Sequence, residues 1–110
     1  MALTKKITKI FHSCILIEYK HAKILIDPGA WVFEEKKASV EDFLGVDAVL
    51  VTHEHIDHYY PDALRVLQKN GSRIITNKDL VEKMKAAGIA AEGLGPEEVI
   101  EIKGIKIKGV

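Results

Sequence analysis

The sequence predicts a layered α/β or α+β fold, with residues 1–110 forming a single domain. Three observations support this prediction. Short runs of β-branched and aromatic residues open the chain, strand-like and helix-like segments alternate in the middle, and two runs of alternating polarity close it. With 110 residues, 47% of them hydrophobic, the chain can bury a real core, which excludes a disordered protein. No internal repeat or low-complexity segment interrupts the pattern.

Three short strands are predicted in the first part of the chain, over residues 7–11, 15–19 and 23–26. The third strand ends at Asp27, because Pro28 and Gly29 supply turn chemistry, and a loop is expected to follow. Ser39 and Asp42 then have the spacing of a weak capping box for a short helix.

Strands and helices alternate in the second part of the chain. Pro61 suits the first position of a helix that Gly71 would end, and Asn77 suits the N-cap of a helix that Gly88 would end. We therefore expect a mostly β sheet with helices on one face. The predicted elements are strands over 48–52 and 73–76, helices over 61–70 and 78–87, and two strands that meet near Lys103 and Gly104.

Composition excludes several classes of partner. The 16 basic and 16 acidic side chains cancel and alternate along the chain, so we expect neither nucleic-acid binding nor membrane binding. No apolar run has the length needed to cross a bilayer, and no cleavage site follows the N-terminal apolar run. The single cysteine, Cys14, is expected to pack as a small buried hydrophobe, and a cytoplasmic location is the default expectation.

The segment VTHEHIDHYYP, residues 51–61, holds three of the five histidines of the chain. Imidazole and carboxylate groups at His53, His55, Asp57 and His58 indicate a metal site, and the alternative is a solvated polar turn. In an extended loop, positions 53, 55 and 57 project to one side, whereas a helix would turn His55 away from His53 and Asp57. A HExxH zinc-protease motif is excluded because position 57 is aspartate.

The pattern His-x-His-x-Asp-His resembles the metal motif of the metallo-β-lactamase superfamily. The stretches FHSCILIEYKHAKILIDPG and DAVLVTHEHIDHYYPDAL also resemble its lactonase-like and phosphoester-cleaving branch, although Phe11 stands where that branch commonly has glycine. The resemblance implies the first half of an αββα sandwich. It further implies that His53 and His55 bind one metal and that Asp57 and His58 bind a second. Asp27 would support the metal-binding loop through hydrogen bonds without binding the metal itself.

By this resemblance the expected function is hydrolysis of a small-molecule lactone, ester or phosphodiester by metal-activated water. Asp57 is the candidate catalytic residue, and His12 and Ser13 could line a substrate pocket, although ordinary loop positions are the alternative for both. Zinc is the first expectation for the divalent metal, with manganese or iron as alternatives.

The ligand set implied by the resemblance is incomplete in this chain, because no histidine or cysteine follows His58. We therefore expect the N-terminal half of a longer hydrolase, completed either by a C-terminal half or by a second copy in a homodimer. An apolar sheet face that carries Ile15, Ile17, Ile24, Ile26 and Leu50 would need such a cover. The competing hypothesis is a half-domain without catalytic activity that self-associates and at most binds metal.

Overall fold

The computed structural model describes residues 5–11, 14–34, 39–52 and 60–109. Within these ranges the chain forms a six-stranded sheet, a separate two-stranded hairpin and helical segments. The strands are β1 (Lys5–Phe11), β2 (Cys14–Tyr19), β3 (Ala22–Ile26), β4 (Ala48–Val51), β5 (Arg73–Thr76), β6 (Ala91–Gly93), β7 (Val99–Ile102) and β8 (Ile105–Lys108). The helices are α1 (Ala30–Glu34), α2 (Pro61–Lys69) and α3 (Lys78–Ala86), and a 3-10 turn covers Val40–Phe43.

The six strands of the sheet lie in chain order, from β1 to β6. Strands β1, β2 and β3 pair antiparallel, whereas β3, β4, β5 and β6 pair parallel. Helices α2 and α3 make the crossovers that parallel pairing requires, from β4 to β5 and from β5 to β6. The carboxyl ends of β3, β4 and β5 therefore meet at one edge of the sheet.

One face of the sheet packs against the helices. Leu64 and Leu67 of α2 and Leu80 and Met84 of α3 are at most 5% exposed, and they share one apolar cluster with Val49 of the central strand β4. Apolar spacing of three and four residues puts these side chains on one side of each helix. This is the arrangement that the sequence predicts: a mostly β sheet with helices on one face.

The opposite face of the sheet is covered in part by the hairpin of β7 and β8. Ile24, Ala48 and Ile75 are at most 2% exposed beneath Ile102 of the hairpin, which is 4% exposed. The alternating runs place Ile100, Ile102, Ile105 and Ile107 on one side of the hairpin, and all four pack on this cluster. The expected apolar face is thus present, and the chain covers its centre with its own hairpin.

Most predicted elements agree with the structure to within two residues, and two elements among the described residues were not predicted. Helix α1 begins at Ala30, directly after Pro28 and Gly29, where the sequence predicts a loop. Strand β6 was missed because Ala-Glu-Gly has weak strand propensity, and its pairing with β5 is a tertiary contact that local pattern does not reveal. Among the described residues, no helix has the length and apolar character needed to cross a membrane.

Candidate metal centre

The candidate centre lies at the edge of the sheet where three parallel strands end. Asp27 follows β3, Thr52 follows β4 and Asn77 follows β5. Thr52 directly precedes His53, the first residue of the predicted metal motif. Carboxyl ends of parallel strands are the usual place for binding loops in sheets of this kind.

Asp27 is a buried carboxylate that holds Thr52 by two hydrogen bonds. Its Oδ1 accepts from the backbone N of Thr52 at 2.7 Å, and its Oδ2 accepts from the Thr52 Oγ1 at 2.6 Å. Asp27 is only 4% exposed. Its backbone lies in the left-handed region, with φ of 49°, which aspartate adopts more readily than most residues. The Asp27 backbone N also donates to the Leu50 carbonyl at 2.8 Å, which extends the pairing of β3 with β4.

Strand β5 holds the same stretch of β4 from the other side. The Thr76 hydroxyl donates to the Val51 carbonyl at 2.8 Å, and the Asn77 Nδ2 donates to the Thr52 carbonyl at 3.3 Å. The Asn77 Oδ1 accepts from the Leu80 backbone N at 3.0 Å, which caps helix α3. The backbone that leads into His53 is therefore fixed from two neighbouring strands.

The chain re-enters the described structure at Tyr60, after the motif. The ring of Tyr60 stacks on Phe33 of α1, with centroids 5.5 Å apart, and Phe33 meets Phe43 edge-on at 6.1 Å. Pro61 then starts α2. Both flanks of the predicted motif, Thr52 and Tyr60, thus contact the packed body of the protein.

Cys14 lies close to this edge and is fully buried. Burial, together with the charge of the Asp27 carboxylate, raises the pKa of the Cys14 thiol to about 12. A thiol with so high a pKa is neutral at physiological pH and makes a poor nucleophile or metal ligand. The prediction that Cys14 packs as a small buried hydrophobe is confirmed.

The predicted metal residues His53, His55, Asp57 and His58 lie outside the described residues. The possible pocket residues, His12 and Ser13, also lie outside them. Elsewhere, within residues 5–11, 14–34, 39–52 and 60–109, no group of three or more His, Cys, Asp or Glu side chains could hold a metal ion.

Three residues at this edge had no site role in the sequence prediction: Thr52, Thr76 and Asn77. Thr52 and Thr76 each stand where an apolar strand run ends, and Asn77 was predicted only as a helix cap. Their common signal is a polar side chain placed directly at the carboxyl end of a parallel strand.

Residues 6–110 match the family model described as the β-lactamase superfamily domain. The chain therefore belongs to the β-lactamase superfamily, as the His-x-His-x-Asp-His motif predicted.

Two archaeal relatives are each named a UPF0173 metal-dependent hydrolase. The protein from Methanosarcina mazei is 34% identical over 93% of this chain and 43% of its own length, and that from Pyrococcus abyssi is 36% identical over 86% and 43%. A solved structure described as a putative metal-dependent hydrolase, from Parabacteroides distasonis, superimposes with a TM-score of 0.75 at 26% identity and covers 96% of this chain and 44% of that one. The chain spans less than half the length of these relatives.

Proposed function

We propose that the protein is a metal-dependent hydrolase whose metal centre follows β4, with ligands from His53, His55, Asp57 and His58. Superfamily membership and the names of the relatives support the class of reaction. The structural observation that carries the proposal is the buried Asp27 carboxylate, which holds Thr52 through two hydrogen bonds directly before His53. A buried carboxylate that fixes the residue next to a ligand suits a metal centre, because ligands need a supported backbone.

The donor chemistry of the segment fits a divalent metal. Neutral imidazole from His53 and His55 would hold one ion, whereas Asp57 and His58 would hold a second, and the Asp57 carboxylate would offset part of its charge. We favour zinc, with manganese or iron as alternatives that accept the same ligands. When bound, the metal supplies a Lewis acid that activates water and polarises the group under attack. Lactones, esters and phosphodiesters are the substrate classes we propose, with Asp57 as the catalytic residue of this chain.

The part that the described residues play is to place the ligands. Asp27 fixes Thr52, which follows β4, and Thr76 fixes Val51 at the end of β4. The stacked pair of Tyr60 and Phe33 fixes the chain on the other side of the motif. Ligands held on a supported loop lose less conformational entropy when the metal binds. The buried free thiol of Cys14 suits a reducing compartment, and we propose the cytoplasm.

The test is zinc titration together with hydrolysis of generic lactone, ester and phosphodiester substrates. The chain is compared with His53→Ala and His55→Ala, and His21→Ala serves as the control because His21 is exposed in the turn between β2 and β3. We expect each of the two motif variants to weaken zinc binding by at least about 100-fold. The His21→Ala control should keep the zinc affinity and the hydrolysis rate of the wild-type chain. Zinc affinity that survives both motif variants would refute the proposed site.

A second candidate function, self-association without catalysis, has one specific observation in its favour. Ile7 of β1 is 72% exposed, and it borders an apolar groove of about 330 Å³ that Ile17, Tyr19 and Ile105 also line. An exposed apolar groove of this kind suits contact with a second copy of the chain. We expect Ile7→Lys to abolish dimers in sedimentation velocity, whereas Val66→Lys, at a 43% exposed position on α2, leaves them intact. A monomeric wild-type chain at micromolar concentration would contradict self-association.

A further inference from the structure

The Asn77 side chain uses both ends of its amide at the candidate centre. Its carbonyl oxygen caps α3 by accepting from the Leu80 N at 3.0 Å, and its amino group donates to the Thr52 carbonyl at 3.3 Å. Capping a helix requires only an acceptor, which serine or aspartate supplies equally well. The donor end of asparagine is therefore additional to the cap, and it points at the residue before His53.

Asn77 and Asp27 act on opposite sides of the same residue. Asp27, after β3, accepts from the backbone N and the hydroxyl of Thr52, whereas Asn77, after β5, donates to the Thr52 carbonyl. Both backbone polar groups of Thr52 are thereby fixed. Because a peptide group is planar, holding the Thr52 carbonyl sets the orientation of the peptide bond through which the chain enters His53.

Asn77 is attached to two packed elements, helix α3 and strand β5. Its cap ties it to α3, and that helix is anchored by Leu80 and Met84, which are 5% and 0% exposed in the main core. The preceding residue, Thr76, is 4% exposed and donates to the Val51 carbonyl. Binding sites supported by packed elements hold their geometry better than sites on free loops.

We propose that Asn77 is a positioning residue of the metal centre, which orients the Thr52–His53 peptide through its hydrogen bond to the Thr52 carbonyl. This inference rests on the proposed function, because it assigns Asn77 to the same metal-binding segment. Asn77 itself touches neither metal nor substrate in this proposal. Its effect reaches the ligands through the backbone of Thr52.

The test separates the two ends of the amide. Asn77→Ser keeps an acceptor for the Leu80 N, but its side chain is too short to reach the Thr52 carbonyl. We expect zinc affinity, measured by competition with a chelator, to fall about tenfold. Loss of a residue that supports a metal ligand through hydrogen bonds typically lowers metal affinity by about 10- to 100-fold, and this is the lower end of that range. The thermal midpoint should change little, because serine is a good N-cap. The control is Asn70→Ser, which removes an amide donor to the Val66 carbonyl, 2.9 Å away, at the end of α2.

A second variant guards against a loss of stability in the first. Asn77→Asp keeps the size of the side chain and is a strong N-cap, but its carboxylate cannot donate to the Thr52 carbonyl. We expect its thermal midpoint to stay close to that of Asn77→Ser, because both variants keep the cap, and its zinc affinity to lie below that of the wild-type chain. Wild-type affinity in both Asn77 variants overturns this inference while the proposed function stands. The proposed function fails if the wild-type chain binds no zinc, or if the His55→Ala variant binds zinc as tightly as the wild-type chain does. This inference then fails with it.

Discussion

The two ends of strand β4 are held by the same kinds of group and lead to different parts of the molecule. At the carboxyl end, the Asp27 carboxylate binds Thr52 and the Thr76 hydroxyl binds the Val51 carbonyl. At the amino end, the Asp47 carboxylate accepts from the Lys23 backbone N at 2.8 Å, and the Ser72 hydroxyl donates to the Val46 carbonyl at 2.7 Å. Each end is thus held by hydrogen bonds to one carboxylate and from one hydroxyl.

The difference lies in what each end is connected to. Asp47 also meets the ammonium group of Lys103 at 2.7 Å, which fastens the turn of the β7–β8 hairpin to the sheet. Asp27 instead fixes the backbone that enters His53. The same hydrogen-bonding chemistry therefore supports stability at the amino end and, in our proposal, metal binding at the carboxyl end.

The largest effect that would sharpen this comparison is expected at the two carboxylates. Asp27→Ala removes the acceptor of two hydrogen bonds that Thr52 donates. We therefore expect zinc affinity to fall about 10- to 100-fold and the free energy of unfolding to fall by about 2–3 kcal/mol. Asp47→Ala should cost about 1–2 kcal/mol of stability and leave zinc affinity unchanged. Zinc titration and urea denaturation measure the two quantities.

Equal zinc affinity in the two variants would break the distinction between the ends. Loss of zinc binding in Asp47→Ala at full stability would contradict it more strongly, since the amino end would then contribute to the metal centre.

A smaller effect is expected at the two hydroxyls. Thr76→Val removes a buried hydrogen bond to the Val51 carbonyl of β4, and Ser72→Ala removes one to the carbonyl of Val46, two residues before β4. Each should lower stability by about 1–2 kcal/mol. Only Thr76→Val should also weaken zinc binding, by a few-fold, because Val51 lies two residues before His53. The same titrations apply, and a zinc effect in Ser72→Ala would count against the prediction.

The smallest effect concerns acid stability at the amino end. Burial tends to raise the pKa of Asp47, but the hydrogen bonds from Lys103 and from the Lys23 N–H outweigh it and hold the pKa below its ordinary value. A lowered pKa in the folded state stabilises the protein above the ordinary carboxyl pKa near 4, and this contribution is lost as pH falls through the lowered value.

Between about pH 5 and pH 2, the Asp47→Asn variant should therefore lose less stability than the wild-type chain. The difference between the two losses should be less than about 1 kcal/mol. Urea denaturation over this pH range measures the difference. Parallel curves for the two proteins would show that the Asp47 ion pair adds nothing.

Residues that start and end a helix explain why the bounds of α2 could be predicted to within one residue. Pro61 sets its first turn, and Gly71, with φ of 99°, supplies the left-handed conformation that ends it. Helix α1 was missed because Pro28 and Gly29 predict a turn, while the contact that stabilises α1, Phe33 on Tyr60, joins residues far apart in the chain.

Residue spacing alone predicted the candidate site only where its residues form a continuous motif. The spacing from His53 to His58 is visible in the sequence, and Asp27 was assigned by resemblance to a family. Asn77 could be identified as a cap from its position, but its contact with Thr52 spans 25 residues and depends on the register of β4 and β5. Side-chain contacts between neighbouring parallel strands leave no local pattern.

The most direct measurement is anomalous scattering from crystals grown with zinc, with data collected on both sides of the zinc absorption edge. We expect a strong anomalous peak beyond the carboxyl end of β4, coordinated by His53 and His55 after Thr52. A peak at another group, such as Asp47 at the amino end, or no peak near the motif, would contradict a metal centre in this segment.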